Sequence, residues 1–230
     1  MEEIFWDYSS NGPDKWPDLC PDYHNACEKY LQSPIALNKN SVTDRWKAEP
    51  LSFDYSPQQF LVQWYSHTFH YSPLKKNNRV KFMQEWYTLE DFHFHLPCEH
   101  SLNGKSYPIE FHLVHYSKSG HVLVIALLFE HIFSNDKNLD DSPCLSLGLH
   151  SATSKIVELD LQKYLPQNPA YYLYDGSFTT PPCIGNVHWV VFSQLQDLYS
   201  SELLLFVKEI GWKGNNRPVQ KQLQKRIWYM

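Results

Sequence analysis

The residues of this chain best suited to chemistry are three histidines: His93 and His95 in the run Phe92-His93-Phe94-His95, and His112 in Glu110-Phe111-His112-Leu113-Val114-His115. In an extended strand successive side chains point to opposite faces. His93 and His95 therefore share one face, while Phe92 and Phe94 turn to the other. The same alternation puts His112 on a face with Glu110 and Val114. If the two runs are neighbouring strands, three imidazoles converge, and three neutral nitrogens with a fourth position open form the donor set of a catalytic zinc site. The alternative reading is chance, because twelve histidines in 230 residues produce H-x-H spacings with no function attached.

The runs that must carry these residues read as strands. From 51 to 130, short β-type segments follow one another at 60–65, 68–72, 85–96, 109–116 and 121–130, separated by turn residues such as Lys76-Asn77-Asn78 and Asn103-Gly104. Another strand is expected at 186–192, and Ser200-Ser201 followed by helical spacing predicts a helix over 200–210. Residues 1–40 contain Pro13, Pro17, Pro21 and Pro34, which prevent a long helix, and Trp6, Tyr8 and Trp16, which could anchor a packed coil. No repeat, charged block or Gly/Ser-rich linker divides the chain, so a single domain over 1–230 is expected.

Composition narrows the function classes. Lys plus Arg is 20 and Asp plus Glu is 25, a net charge of −5, with no excess of positive charge to hold a phosphate backbone. Nucleic acid is therefore not an expected partner. Apolar residues at 43% and aromatics at 16% suffice for a substantial core. No apolar run approaches the roughly 18 residues of a transmembrane helix. The opening MEEIFWDYSS lacks the basic head and apolar stretch of a signal peptide, which favours the cytosol if Met1 is the native start.

Taken in order along the chain, the motifs resemble those of the α-class carbonic anhydrase family. They are Trp6-x-Tyr8, Asn11-Gly12-Pro13-x-x-Trp16, Gln32-Ser33-Pro34-Ile35, the run at 92–95, Glu99-His100, Glu110-x-His112, Tyr174-x-Gly176-Ser177-Phe178-Thr179-Thr180-Pro181-Pro182 and Asn216-Arg217-Pro218-x-Gln220. The resemblance implies a mainly β (α+β) domain, with a large central twisted, mostly antiparallel sheet and short peripheral helices. It also implies a zinc lyase that hydrates carbon dioxide to bicarbonate and a proton, and is blocked by sulfonamides or inorganic anions.

Carried over by position, the resemblance makes His93, His95 and His112 the zinc ligands, with water or hydroxide as the fourth. Glu110 would hold His112, and a main-chain carbonyl near Asn215 would hold His95. Asp91 stands where the family usually has a glutamine supporting the first ligand. Thr179 would accept a hydrogen bond from the zinc-bound hydroxide and donate to Glu99. His67 would shuttle the proton to solvent, with an imidazole pKa near 6.5 suited to the task. Val114, Val124, Phe178, Thr180 and Trp189 would line the substrate pocket, with Tyr8 behind the site. Phe178 replaces the family's usual leucine, and the connection between His95 and Glu99 is shortened to Leu96-Pro97-Cys98, which puts the placement of Glu99 beside Thr179 in question.

The five cysteines contain no C-x-x-C pair. By composition they could be buried thiols of a cytosolic protein. The resemblance instead implies a Cys27–Cys183 disulfide, as in secreted members of the family, and an extracellular location with the cytoplasm as the alternative. Closing so long a loop contributes about 4–5 kcal/mol in the chain-entropy model. Cys20, Cys98 and Cys144 receive no pairing, and no oligomeric state is indicated. A second functional reading is a weakly active or inactive relative serving as a binding or structural protein. Retention of all three histidines, Glu99 and Thr179 weighs against it.

Overall fold

Phenylalanines on alternate positions of two runs fix how the chain folds around the histidines. The computed structural model describes residues 4–28, 30–45, 49–132, 155–167, 170–211, 213–221 and 225–230. In it, Gln58–Tyr65, Thr68–Pro73, Glu85–His95, Ile109–Ser117 and Val122–Ile132 are successive antiparallel neighbours in one sheet. The sheet continues through Gly185–Phe192, Tyr171–Ser177, Ile227–Tyr229 and Asp44–Arg45, and Lys155–Leu159 closes its other edge. Along this path only two pairings are parallel: Val122–Ile132 with Gly185–Phe192, and Ile227–Tyr229 with Asp44–Arg45. This is the mainly β, mostly antiparallel architecture that the sequence implied.

Each anticipated strand agrees with the observed one to within two residues at either end, and the helix is Ser200–Ile210. Several strands of the main sheet were not anticipated, the longest being Tyr171–Ser177 and Lys155–Leu159. Tyr171-Tyr172-Leu173-Tyr174 is buried on both faces, so its residues show no alternation. Lys155–Leu159 is a short edge strand with Ile156 facing outward.

The core behind the histidines is aromatic. Phe92, Phe94 and Phe111 are fully buried, and Phe206 of the helix meets Phe94 edge-on at 4.7 Å between ring centroids. Burying each such ring stabilises the fold by about 1.5–3 kcal/mol. A one-residue slip in either strand would exchange these rings for imidazoles, so the same burial that drives folding also sets the register. Val122–Ile132 is buried on both faces over most of its length, as its unbroken apolar run requires in the middle of a sheet.

The Pro-rich N-terminal segment is a packed coil with two short helical turns. Trp16 is fully buried, donates Nε1–H to the carbonyls of Asp7 and Asn11, and clusters with Trp6, Tyr8, Ala26 and Cys183. The expected Cys27–Cys183 disulfide is not formed. The Cys27 thiol is at the surface and donates to the His24 carbonyl, whereas Cys183 is buried in the Trp16 cluster. Cys20 and Cys98 are also free thiols, and Cys144 lies outside the described residues.

His115 lies on the core face of its strand. Its Nδ1 donates to the Leu123 carbonyl at 3.3 Å, its Nε2 meets the Tyr55 hydroxyl at 2.5 Å, and burial pushes its pKa down to about 4. The unfolded chain, with a histidine pKa near 6.5, takes up this proton first as pH falls. The stability contribution is thus present above about pH 6.5 and lost on the way down to about 4, to the extent of about 3 kcal/mol. The unfolding midpoint of chelator-treated protein should fall over that window, and His115→Leu should flatten the fall. An unchanged slope would contradict the assignment.

Candidate metal centre

Strand register brings the three histidines together. His93 is the direct cross-strand partner of His112, and His95 that of Glu110. The ring centroids are 5.2 Å apart for His93 and His95, 5.3 Å for His93 and His112, and 4.6 Å for His95 and His112. One ring nitrogen from each lies within 4.8 Å of the others.

The remaining ring nitrogens all meet acceptors. His93 Nδ1 donates to Asp91 Oδ2 at 2.5 Å, His95 Nδ1 to the Asn215 carbonyl at 2.8 Å, and His112 Nε2 to Glu110 Oε1 at 2.7 Å. An acceptor on one nitrogen fixes the proton there and leaves the other bare. His93 Nε2, His95 Nε2 and His112 Nδ1 are therefore the donor atoms available, and His95 Nε2 is buried without any hydrogen bond. Burial pushes His95 down to about 3 and His112 down to about 4, so both are neutral near pH 7. An orphaned buried nitrogen in a cluster of neutral imidazoles fits a zinc ion.

Glu110 is the anchor of this arrangement. Its Oε1 accepts from His112 Nε2 and from His100 Nδ1 at 2.6 Å, and its Oε2 accepts from the backbone N–H of Glu99 at 2.9 Å and of His100 at 2.7 Å. Burial alone would raise its pKa, but the two imidazoles and these donors hold the carboxyl well below the usual range. His100 Nε2 in turn meets the Tyr174 hydroxyl at 2.6 Å, and Tyr174 donates to Ser33 Oγ at 3.0 Å. Gly176 is required here, since a Cβ would stand 2.1 Å from Ser33 Oγ.

The shortened turn after His95 keeps Glu99 beside Thr179. Glu99 Oε1 accepts from the Arg217 backbone N–H at 2.8 Å. Burial raises the Glu99 pKa and the neighbouring Thr179 opposes that rise, while Glu99 Oε2 makes no hydrogen bond.

Register also builds an apolar row, with Val114 opposite Val124 and Val124 opposite Trp189. These three, with Phe178, Thr179, Thr180, Asp91 and the three histidines, line a cleft of about 250 Å³. His67 and Tyr8 do not line it. The His67 ring packs edge-on against Trp6 and Tyr8, with Nε2 at 2.8 Å from the Trp6 carbonyl, and both residues border a separate pocket with Trp64 and Lys213. The turn that carries it, with positive φ at Ser66 and His67, points the His67 ring to the N-terminal coil rather than toward the three ligands.

His70 is the histidine that lines the cleft instead. It shares a strand face with Thr68, a signal present in the alternation at 68–72. Asn215 and Arg217 are the other contributors that spacing could not reveal. Asn215 Oδ1 accepts from the Leu96 N–H, and its Nδ2 donates to the Phe94 and His67 carbonyls. The buried Arg217 guanidinium donates to Gln32 Oε1 and to the Ser33 and Ala26 carbonyls. Together they clamp the C-terminal segment, the N-terminal coil and the ligand strand.

The chain matches the family described as eukaryotic-type carbonic anhydrase over residues 11–229. It is 32% identical to a carbonic anhydrase of Klebsiella pneumoniae, with 94% of this chain and 87% of that protein aligned. A carbonic anhydrase of Pectobacterium carotovorum is 29% identical over 95% of this chain and 88% of its own length. Among solved structures, the sulfanilamide complex of the α-carbonic anhydrase from Thermovibrio ammonificans superposes with a TM-score of 0.87 at 32% identity, covering 98% of this chain and 99% of that one.

Proposed function

This chain belongs to the eukaryotic-type carbonic anhydrase family, and we propose that it carries out the reversible hydration of carbon dioxide to bicarbonate and a proton at a zinc ion held by His93, His95 and His112. The observation that carries this reading is the set of three imidazoles whose outer nitrogens are each committed to an acceptor, on the wall of a cleft that Val114, Val124, Phe178 and Trp189 also line. Carbonic anhydrases are the reference case for zinc in a three-histidine set, where the metal lowers the pKa of a coordinated water to about 7 and so supplies a nucleophile at neutral pH.

The chain's own residues supply the rest. Asp91, the Asn215 carbonyl and Glu110 keep the outer nitrogens protonated and the rings oriented. Thr179 lies beside Glu99; a hydrogen bond from its hydroxyl to the free Glu99 Oε2 would leave the Thr179 oxygen only the acceptor role, and so would orient an attacking water toward the substrate. Carbon dioxide carries no charge and no hydrogen-bond donor, so Val114, Val124 and Trp189 can hold it without a polar partner. Bicarbonate is charged, gains nothing from that wall, and leaves.

Two measurements test this reading. Metal analysis with stopped-flow hydration should find one zinc per chain and an activity abolished by sulfanilamide or by removal of the metal. Zinc-replete protein that hydrates no carbon dioxide would refute the catalytic reading, and protein that takes up no zinc would refute the metal assignment. Phe178 lines the same cleft, one residue before Thr179. Phe178→Leu should raise the hydration rate constant severalfold, and an unchanged rate would show that the ring does not limit turnover.

A further inference from the structure

Of the three histidine supports, Asp91 is a carboxylate whose hydrogen bonds are to imidazoles. It precedes His93 by two residues on the same face, and its carboxylate turns about a single bond, so the 2.5 Å contact to His93 Nδ1 needs a second constraint. That constraint comes from the neighbouring strand Thr68–Pro73. His70 Nδ1 donates across to Asp91, 3.0 Å from Oδ1 and 3.1 Å from Oδ2. The His70 ring is itself fixed by Tyr65, which stacks on it at 3.7 Å with an interplanar angle of 11°, and it lies 4.9 Å from the His93 ring. A carboxylate only accepts, so both Nδ1 atoms that meet it must carry hydrogen. His93 is then left with a bare Nε2, the tautomer a metal requires.

We propose that His70 is a positioning residue for the first zinc ligand, acting through Asp91, and that His70–Asp91–His93 works as one unit that sets how tightly the site retains zinc. The proposal rests on the zinc reading above and goes beyond it, because it concerns a side chain that reaches the ligand set only through Asp91. Sharing one carboxylate between two imidazoles pins it in the orientation that His93 Nδ1 needs, while dividing its negative charge between them. His70→Ala frees the carboxylate to turn away from His93, and losing the acceptor outweighs the gain from an undivided charge. His70→Asn retains an amide N–H at the position of Nδ1 and so retains the donor to Asp91.

The test compares wild type, His70→Ala and His70→Asn by zinc dissociation constant under chelator competition, by the visible spectrum after cobalt(II) substitution, and by the unfolding midpoint of metal-free protein. His70→Ala should bind zinc about 10–100-fold more weakly and shift the cobalt spectrum. His70→Asn should recover most of the affinity and the spectrum, with metal-free midpoints close to wild type in both variants. A His70→Ala protein with wild-type zinc affinity and cobalt spectrum would overturn the proposal. Equal loss in both variants would also overturn it, by showing that ring packing rather than the hydrogen bond matters. So would a second zinc equivalent in wild type that His70→Ala loses, since the trio would then be a metal site in its own right. Wild-type protein that binds no zinc would instead overturn the proposed function and, with it, this assignment.

Discussion

The two-residue period of extended backbone is the constraint on which the whole site depends. On Glu85–His95 and Ile109–Ser117 it separates Phe92, Phe94 and Phe111 from His93, His95 and His112, so one face is committed to the core and the other to polar chemistry. The energy comes from the aromatic side, where phenylalanines from both strands pack with Phe206 of the helix. The precision comes from the same source. A register set by ring packing places His93 opposite His112 without any contribution from the imidazoles themselves.

What the alternation cannot supply is tolerance for polar groups buried in a low-dielectric wall, and this is met by saturating them. Glu110 makes four hydrogen bonds through two oxygens. Arg217, with 1% of its surface exposed, meets three acceptors through its guanidinium. A half-satisfied network would cost more than an apolar one. Among the buried groups that remain without a hydrogen bond are two at the reaction site itself, His95 Nε2 and Glu99 Oε2.

Much of this was legible in the sequence, for identifiable reasons. The three histidines and Glu110 sit on strands with clear alternation, so their shared face follows from spacing, and the order of motifs supplied Thr179, Glu99 and the apolar wall. The strand Tyr171–Ser177 was not legible, because burial on both faces erases the alternation that betrays a strand. The direction of the His67 ring was not legible because residue type and position along the chain do not reveal which way a turn aims its side chain. His70 was passed over because its face carried no second metal-binding residue in its own run; its partner Asp91 comes from another strand. The free state of Cys27 and Cys183 likewise depends on where two distant segments direct their thiols.

The Asn215 carbonyl gives the site an order of assembly. His95 finds its acceptor 120 residues further along the chain, and Glu99 finds the Arg217 N–H 118 residues on. All three imidazoles have been synthesised by residue 112, well before these partners exist. The histidines of a nascent chain are therefore present without the contacts that fix the tautomer of His95 and the orientation of Glu99. Maturation of the centre is coupled in this way to completion of synthesis, and a chain truncated before residue 215 would keep every ligand while losing the support that makes the second of them a defined donor.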